Sequence, residues 1–572
     1  MPKIIFLYDD KNGTDRKKNV EFEYAGKSLL YEILAQANNN HDFHFPCGGK
    51  GTCRKCMATI VSGMENVSPL TEPELKYLTA DEIKSGVRFA CMCEVWGDIT
   101  VMVQDESGMS GKKMVVQTEG LQSQSLTATE DSEDVDKESE KTYGIAVDIG
   151  TTTVAVYLCR LNDGKIIDVS ASENPQRVHG ADIISRINYT IENEENETGL
   201  NTLKKMILSS VFKLVDNMCI KNSISQKDIR SIILTGNTVM QHLAAGIAPK
   251  SIAFAPFIAP TLFDYEIKLS ELLGNTGIQS EIGGTAAVYF PPAFASYVGG
   301  DIATGIIASD TDLTDKTRLF IDIGTNGEIG LGNKDKLIFC ATAAGPAFEG
   351  ANIKLGLPGV EGAINKIYLD DSANLEYTVI GESKPVGICG SGVIDIVALM
   401  LEIGVLDETG RILDTDETDD IDDDISSKYN SLYDRLDEIN GENVFYIDKK
   451  FNIYVTQKDI REIQLAKAAI CAGIMTLLHY SGKTVDDIDE LVIAGGFGAS
   501  INKTSACKIG LIPEELEDKI IIAGNTAGMG AAAVLVNQEA KARIKKVRDI
   551  SEYIELSGDS FFMDEYVDKM MF

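Results

Sequence analysis

An α+β unit followed by a duplicated α/β unit is the fold class this sequence predicts, and three observations predict it. Three cysteines crowd into residues 45–56, FPCGGKGTCRKC, among glycines and basic residues. A stretch from 105 to 141 holds few large apolar residues and is rich in Ser, Thr, Glu and Asp. Beyond it, YGIAVDIGTTTVAVYLCRLNDGKI (143–166) and RLFIDIGTNGEIGLGNKDKLI (318–338) repeat one pattern: apolar strand, Asp-Ile-Gly-Thr turn, second strand, second turn.

Composition sets the frame. A chain of 572 residues exceeds one hydrophobic core, and about 150 residues per domain predicts roughly three or four units. A formal net charge of −34 repels phosphate backbones and excludes nucleic acid as a partner. No apolar run reaches the roughly 18 residues of a membrane span, and MPKIIFLYDDKNG is too short in apolar residues for a secretory leader, so a cytoplasmic location without membrane contact is expected. Of eleven cysteines, five fall between Cys47 and Cys93, which in such a chain points to thiols and metal ligands.

In the first unit, KIIFLY and NVEFEY read as a strand pair, SLLYEILAQAN as a helix, CMATIVSG and GDITVMV as strands. The cysteine loop follows the helix. Its C-x5-C-x2-C spacing, with Cys91 after 34 intervening residues, places three ligands in one loop and a fourth far away. A zinc ribbon, the first rival, brings two C-x2-C knuckles together instead. The plant-type [2Fe-2S] spacing has one residue fewer in its first gap. Gly48, Gly49 and Gly51 are free to turn amides toward inorganic sulfide.

These residues resemble the [2Fe-2S] ferredoxin family over 1–104. The resemblance implies a β-grasp-like fold with Cys47, Cys53, Cys56 and Cys91 as cluster ligands. It favours Cys91 over Cys93 because the family's last cysteine follows an Arg-hydrophobic-small triplet, here Arg88-Phe89-Ala90. Residues 105–141 then read as a flexible acidic linker, a coil whose r.m.s. span is on the order of 30 Å.

The remainder divides into a first lobe (142–317), a second lobe (318–547) and a C-terminal tail (548–572). Besides the two hairpins, SIILTGNTVMQHLAAG (231–246) and KIIIAGNTAGMGAAAVL (519–535) both read strand, Gly-Asn-Thr, helix. Two copies of two motifs imply two related lobes facing a cleft. Each Asp-x-Gly-Thr turn offers amides and hydroxyls to phosphate, and its Asp positions a magnesium ion through water. DELVIAGGFGASIN (489–502) adds a glycine turn, and GICGSGVIDIVALML (387–401) another that enters a helix.

These segments resemble the superfamily of actin, sugar kinases, acetate kinase and heat-shock chaperones. The resemblance implies a two-lobed, duplicated actin-like ATPase. Its contacts with ATP phosphates and Mg²⁺ fall on Asp148, Gly150, Thr151, Thr152, Thr153, Asp322, Gly324, Thr325 and Asn326, with Asn237 beside them. Gly495, Gly496 and Gly498 lie against the adenosine, and Gly390 and Ser391 open a helix toward the nucleotide. Asp148, Asp322 and Glu349 are the candidate catalytic residues. Glu349, in AAGPAFEG, either orients water or serves as a carboxylate at a helix N-terminus. A nucleophilic role for Ser391 lacks a partner histidine.

The order ferredoxin, acidic linker, duplicated ATPase resembles the reductive activators of corrinoid enzymes across nearly the whole chain, and NPQRVHGADIISRI, YVGGDIATGIIAS and AAGPAFEG look like that family's own segments. What this implies is ATP-dependent, one-electron reduction of inactive Co(II) to Co(I) on a corrinoid methyl-carrier protein. An external low-potential electron donor and a cytoplasmic, anaerobic homodimer come with it. The alternative is a metabolite kinase with a redox-sensing ferredoxin domain. Electron activators of acyl-CoA dehydratases are a second rival, but their cluster cysteines lie inside the ATPase, where Cys159, Cys219, Cys340, Cys389, Cys471 and Cys507 are scattered singly here.

Overall fold

The structure is a computed structural model that describes residues 1–9, 19–24, 26–37, 56–104, 142–418, 421–498 and 500–572. The expected linker (105–141) and most of the cysteine loop lie outside the described residues. The chain forms two compact units, one of Met1–Lys113 with Pro175–Glu192, the other of Met114–Asn174 with Asn193–Phe572.

The first unit is built on a five-stranded mixed sheet. Strands β1 (Lys3–Asp9) and β2 (Asn19–Glu23) pair antiparallel, as their alternating apolar residues predict. Helix α1 (Leu30–Ala37) buries Leu30, Ile33 and Leu34. Strands β3 (Met57–Ser62), β4 (Val87–Phe89) and β5 (Ile99–Gln104) complete the order β2-β1-β5-β3-β4, with β1 and β5 parallel. This is the ferredoxin arrangement. Val178, from Pro175–Glu192, packs against its core.

In the second unit each lobe holds a six-stranded sheet. The first contains β6 (Tyr143–Ile149), β7 (Thr153–Arg160) and β8 (Ile166–Glu173) as an antiparallel meander. Helix α2 (Thr198–Asn222) follows. Then come β9 (Ile229–Gly236) with helix α3 (Thr238–Ala245), β10 (Tyr265–Lys268), β11 (Ala287–Phe290) and helix α4 (Gly300–Ala308). The second lobe contains β12 (Arg318–Ile323), β13 (Gly327–Gly332) and β14 (Leu337–Thr342). Helices α5 (Gly390–Glu402) and α6 (Gln457–Ser481) lead to β15 (Glu490–Ala494), β16 (Ile520–Gly524) and helix α7 (Thr526–Val536). Strands β6, β9, β12 and β15 are apolar almost throughout because both faces are covered.

The sheet orders are β8-β7-β6-β9-β11-β10 and, read in the matching sense, β17-β14-β13-β12-β15-β16, where β17 is Ser551–Tyr553. The hairpins are equivalent, as the sequence predicts. The two Gly-Asn-Thr segments are not: the first follows β9, whose counterpart is β15, while the second follows β16, whose counterpart is β11. Sequence similarity there does not reflect equivalent positions in the duplication.

One further expectation changes. Residues 548–572, read as a tail, are folded: β17 pairs with β14, and a helix, Ser560–Asp568, packs on α6. There Gln464 donates to the Met570 carbonyl at 2.8 Å, and the buried Lys467 donates to that of Met571. Helix α6 is long and apolar enough to cross a membrane by length and composition. Yet 78% of its most apolar window is buried inside the protein, as in a core helix, so the expectation of no membrane-spanning run is not overturned. Scattered Asp459, Gln464 and Lys467 hide that length from a run-based reading of the sequence.

Candidate active site and cluster site

In the ferredoxin unit, Cys56 precedes β3 and Cys91 follows β4. Their sulfurs lie 3.3 Å apart, buried and unbonded as a disulfide. Backbone hydrogen bonds fix this approach: Ala90 N–H donates to the Cys56 carbonyl at 2.9 Å, and Tyr31 N–H to that of Ala90 at 3.1 Å. Cys93 is buried apart, and burial pushes its thiol up to about 11. Cys47 and Cys53 lie outside the described residues. Two converging, buried thiols are the soft donors an iron–sulfur cluster takes, so the residues present fit such a group.

The Cys91 turn is braced by an interior ion pair. Arg88 Nε donates to Glu74 Oε1 at 2.8 Å, its Nη1 to the Ser68 carbonyl at 2.7 Å, and Phe89 N–H also reaches Glu74 Oε1 at 2.9 Å. Burial raises the Glu74 carboxyl, but Arg88 and the backbone donors outweigh it and hold the group below the usual glutamate range.

Between the lobes of the second unit lies a cavity of about 270 Å³. It gathers Asp148, Gly150, Thr151, Thr152, Thr153 and Asn237 from the first lobe. From the second it takes Asp322, Gly324, Thr325, Asn326, Glu349, Gly390, Ser391, Gly495 and Gly496. Gly498 ends the helical turn Gly495–Gly498 that begins in this wall. The hairpin turns close tightly, Gly150 N–H donating to the Thr153 carbonyl at 2.9 Å and Gly324 N–H to that of Asn326 at 3.0 Å. At Gly495 (φ 91°) a side chain would sit 2.7 Å from Asp322 Oδ1, so only glycine fits there. The Ser391 hydroxyl donates to the Asn365 carbonyl at 2.7 Å.

The floor is a cluster of acids. Burial, opposed by Asn525, pushes Asp148 up to about 6. Burial, then Asp148 and Glu349, push Asp322 up to about 7. Asp301 at the start of α4 and Glu328 in β13 are also raised, by burial and by these neighbours. Among the described residues no three His, Cys, Asp or Glu converge as direct metal ligands. Asp148 and Asp322 are the carboxylates that could meet a divalent cation, directly or through its waters.

Asp301, Glu328 and Asn525 line the cavity yet escape the sequence reading. Glu328 carries a signal, an acid at a buried position of an apolar strand. Asn525 carries another, its Gly-Asn-Thr context. Asn237 and Asn525 each do two tasks. Their Oδ1 atoms cap α3 and α7, accepting from Met240 N–H at 2.9 Å and Gly528 N–H at 2.7 Å. Their Nδ2 atoms brace the first hairpin, at Thr151 Oγ1 (3.0 Å) and Asp148 Oδ2 (2.8 Å).

Comparison with known proteins covers the chain in three parts. Residues 13–95 match the 2Fe-2S iron-sulfur cluster binding domain, 143–314 the RACo middle region, and 316–572 the C-terminal, ASKHA domain of RACo. A corrinoid activation enzyme, RamQ, of Eubacterium limosum is 34% identical over 438 residues, 75% of this chain and 70% of that protein. The [Co(II) methylated amine-specific corrinoid protein] reductase of Methanosarcina barkeri is 24% identical over 72% of this chain and 73% of its own. A solved reductive activator for corrinoid, iron-sulfur protein superposes over 100% of this chain and 98% of its own, with a TM-score of 0.66 and 29% identity. With a thiol pair in a ferredoxin sheet and two Asp-Ile-Gly-Thr hairpins across an acidic cavity, the chain belongs to the RACo family of corrinoid-protein reductive activators.

Proposed function

We propose that this protein uses ATP to drive one-electron reduction of a corrinoid methyl-carrier protein from inactive Co(II) to Co(I). The observation that carries the reading is the presence, in one chain, of the converging Cys56–Cys91 thiols and the two-hairpin cavity. Cys47, Cys53, Cys56 and Cys91 would hold a [2Fe-2S] cluster, whose chemistry when bound is one-electron transfer.

The remaining work falls to side chains and backbone. The amides of Thr151, Thr152, Thr325 and Asn326, beyond the glycines whose N–H groups close the turns, receive the phosphates of ATP with the threonine hydroxyls. Asp148, held by Asn525, and Asp322 would hold Mg²⁺ beside the phosphates. Gly495, Gly496 and Gly498 leave room for the adenosine, and Gly390 and Ser391 present a helix N-terminus. Glu349 orients the attacking water. Hydrolysis matters because each 59 mV of uphill one-electron transfer requires about 1.4 kcal/mol. An external low-potential donor reloads the protein, which works in the cytoplasm of an anaerobe as a homodimer.

The test is anaerobic. Reduced protein is mixed with a Co(II) corrinoid methyl-carrier, and Co(I) absorbance is followed with and without Mg-ATP. Co(I) appearing only with Mg-ATP is expected; Co(I) formed equally without nucleotide, or phosphorylation of a small metabolite in its place, overturns the reading.

A further inference from the structure

Glu349 is bonded to both phosphate hairpins at once. Its Oε2 accepts from Thr152 Oγ1 at 2.7 Å and from Thr325 Oγ1 at 2.9 Å, one hydroxyl from each lobe. The turn that carries it, Pro346–Glu349, is fixed at both ends. Phe348 is buried in the second-lobe core, and at Gly350 (φ 79°) a side chain would stand 2.3 Å from the Leu357 carbonyl oxygen. All three polar side chains line the cavity.

A hydroxyl has one proton, so a threonine that donates to Glu349 offers the cavity only lone pairs. A phosphate oxygen needs donors, and at close range it is repelled by a carboxylate. The outermost phosphate of a nucleotide and Glu349 therefore compete for the same two protons.

We propose that Glu349 is a specificity-determining clasp. Without a terminal phosphate it ties the hairpins together through Thr152 and Thr325; a nucleoside triphosphate, unlike a diphosphate, takes those hydroxyls and releases it. This rests on the nucleotide reading above and deepens it, because it makes the cavity respond to the third phosphate specifically.

The test is calorimetric binding of Mg-ATP and Mg-ADP to the full-length protein and to E349Q. The amide removes the charge at nearly constant shape, so the ratio of ATP to ADP affinity is expected to rise by about fivefold or more. E349D, a methylene too short to span both hydroxyls, is expected to shift the ratio the same way, and carries the test if E349Q does not fold. A ratio unchanged in the folded variants, or ATP weakened more than ADP as loss of a magnesium contact would produce, overturns the clasp while nucleotide binding stands. A wild-type protein that binds neither nucleotide overturns the nucleotide reading itself.

Discussion

Neither Arg88 nor Glu74 reaches water, at 3% and 0% exposure, and between them they hold Phe89 N–H and the Ser68 carbonyl as well as each other. Such a pair adds little net stability against an apolar pair of equal size, but breaking it strands a buried charge. Arg88→Met should therefore cost the ferredoxin unit about 3–5 kcal/mol. It should also loosen the turn that presents Cys91, read as a lower unfolding midpoint and weaker retention of the visible chromophore after iron–sulfur reconstitution. An unchanged midpoint would mean that Glu74 finds another donor. Arg88 is legible in the sequence, as the head of the triplet before Cys91. Glu74 is not: in TEPELKY it reads as the acid of a capping box with Thr71, a role it also fills. Its second task depends on a strand fourteen residues away, which no local pattern announces.

Helices α4 and α7 cross so closely that glycine is required. A side chain at Gly530 would lie 1.8 Å from the Thr304 carbonyl oxygen, and one at Gly528 2.2 Å from the Tyr157 ring. Gly530→Ala is expected to destabilise the second unit by roughly 1–3 kcal/mol or more, seen as a lower denaturant midpoint; a neutral result would mean that the two helices stand farther apart in solution. The GMGAAAV pattern shows that something packs there, but not which helix. The same limit governs the Gly-Asn-Thr pair. Strand, glycine, asparagine and helix are local chemistry, and local chemistry fixes the helix cap at Asn237 and Asn525 alike. Which strand lies beside which is a property of the sheet, and there the two segments part company. The Asp-Ile-Gly-Thr hairpins were legible in full because strand, turn and partner strand are contiguous in sequence.

At the scale of the whole molecule, the cavity between the lobes gathers carboxyl groups where they are least solvated. Asp148 and Asp322, at about 6 and about 7 in the folded protein, titrate near 3.9 when unfolded. The folded state thus holds protons that the unfolded state has released, and the nucleotide-free protein should lose stability as pH rises through that range. The half-buried His179 and the buried His242 are both lowered to about 4; their opposite contribution, set by an unfolded value near 6.5, is nearly complete only by about pH 7.5. Between about pH 6.5 and 8 the unfolding midpoint of the nucleotide-free wild type should therefore fall relative to that of Asp322→Asn, which keeps both histidines and lacks only the Asp322 carboxyl. A difference between the two midpoints that does not change across this interval would place the Asp322 carboxyl at an ordinary value. One consequence concerns synthesis rather than equilibrium. Asp148 takes its brace from Asn525, 377 residues later, so a nascent chain exposes the first hairpin long before its partner leaves the ribosome. The earliest-made part of the nucleotide cavity is among the last to be completed, and truncation before residue 525 leaves its aspartate without the amide that positions it.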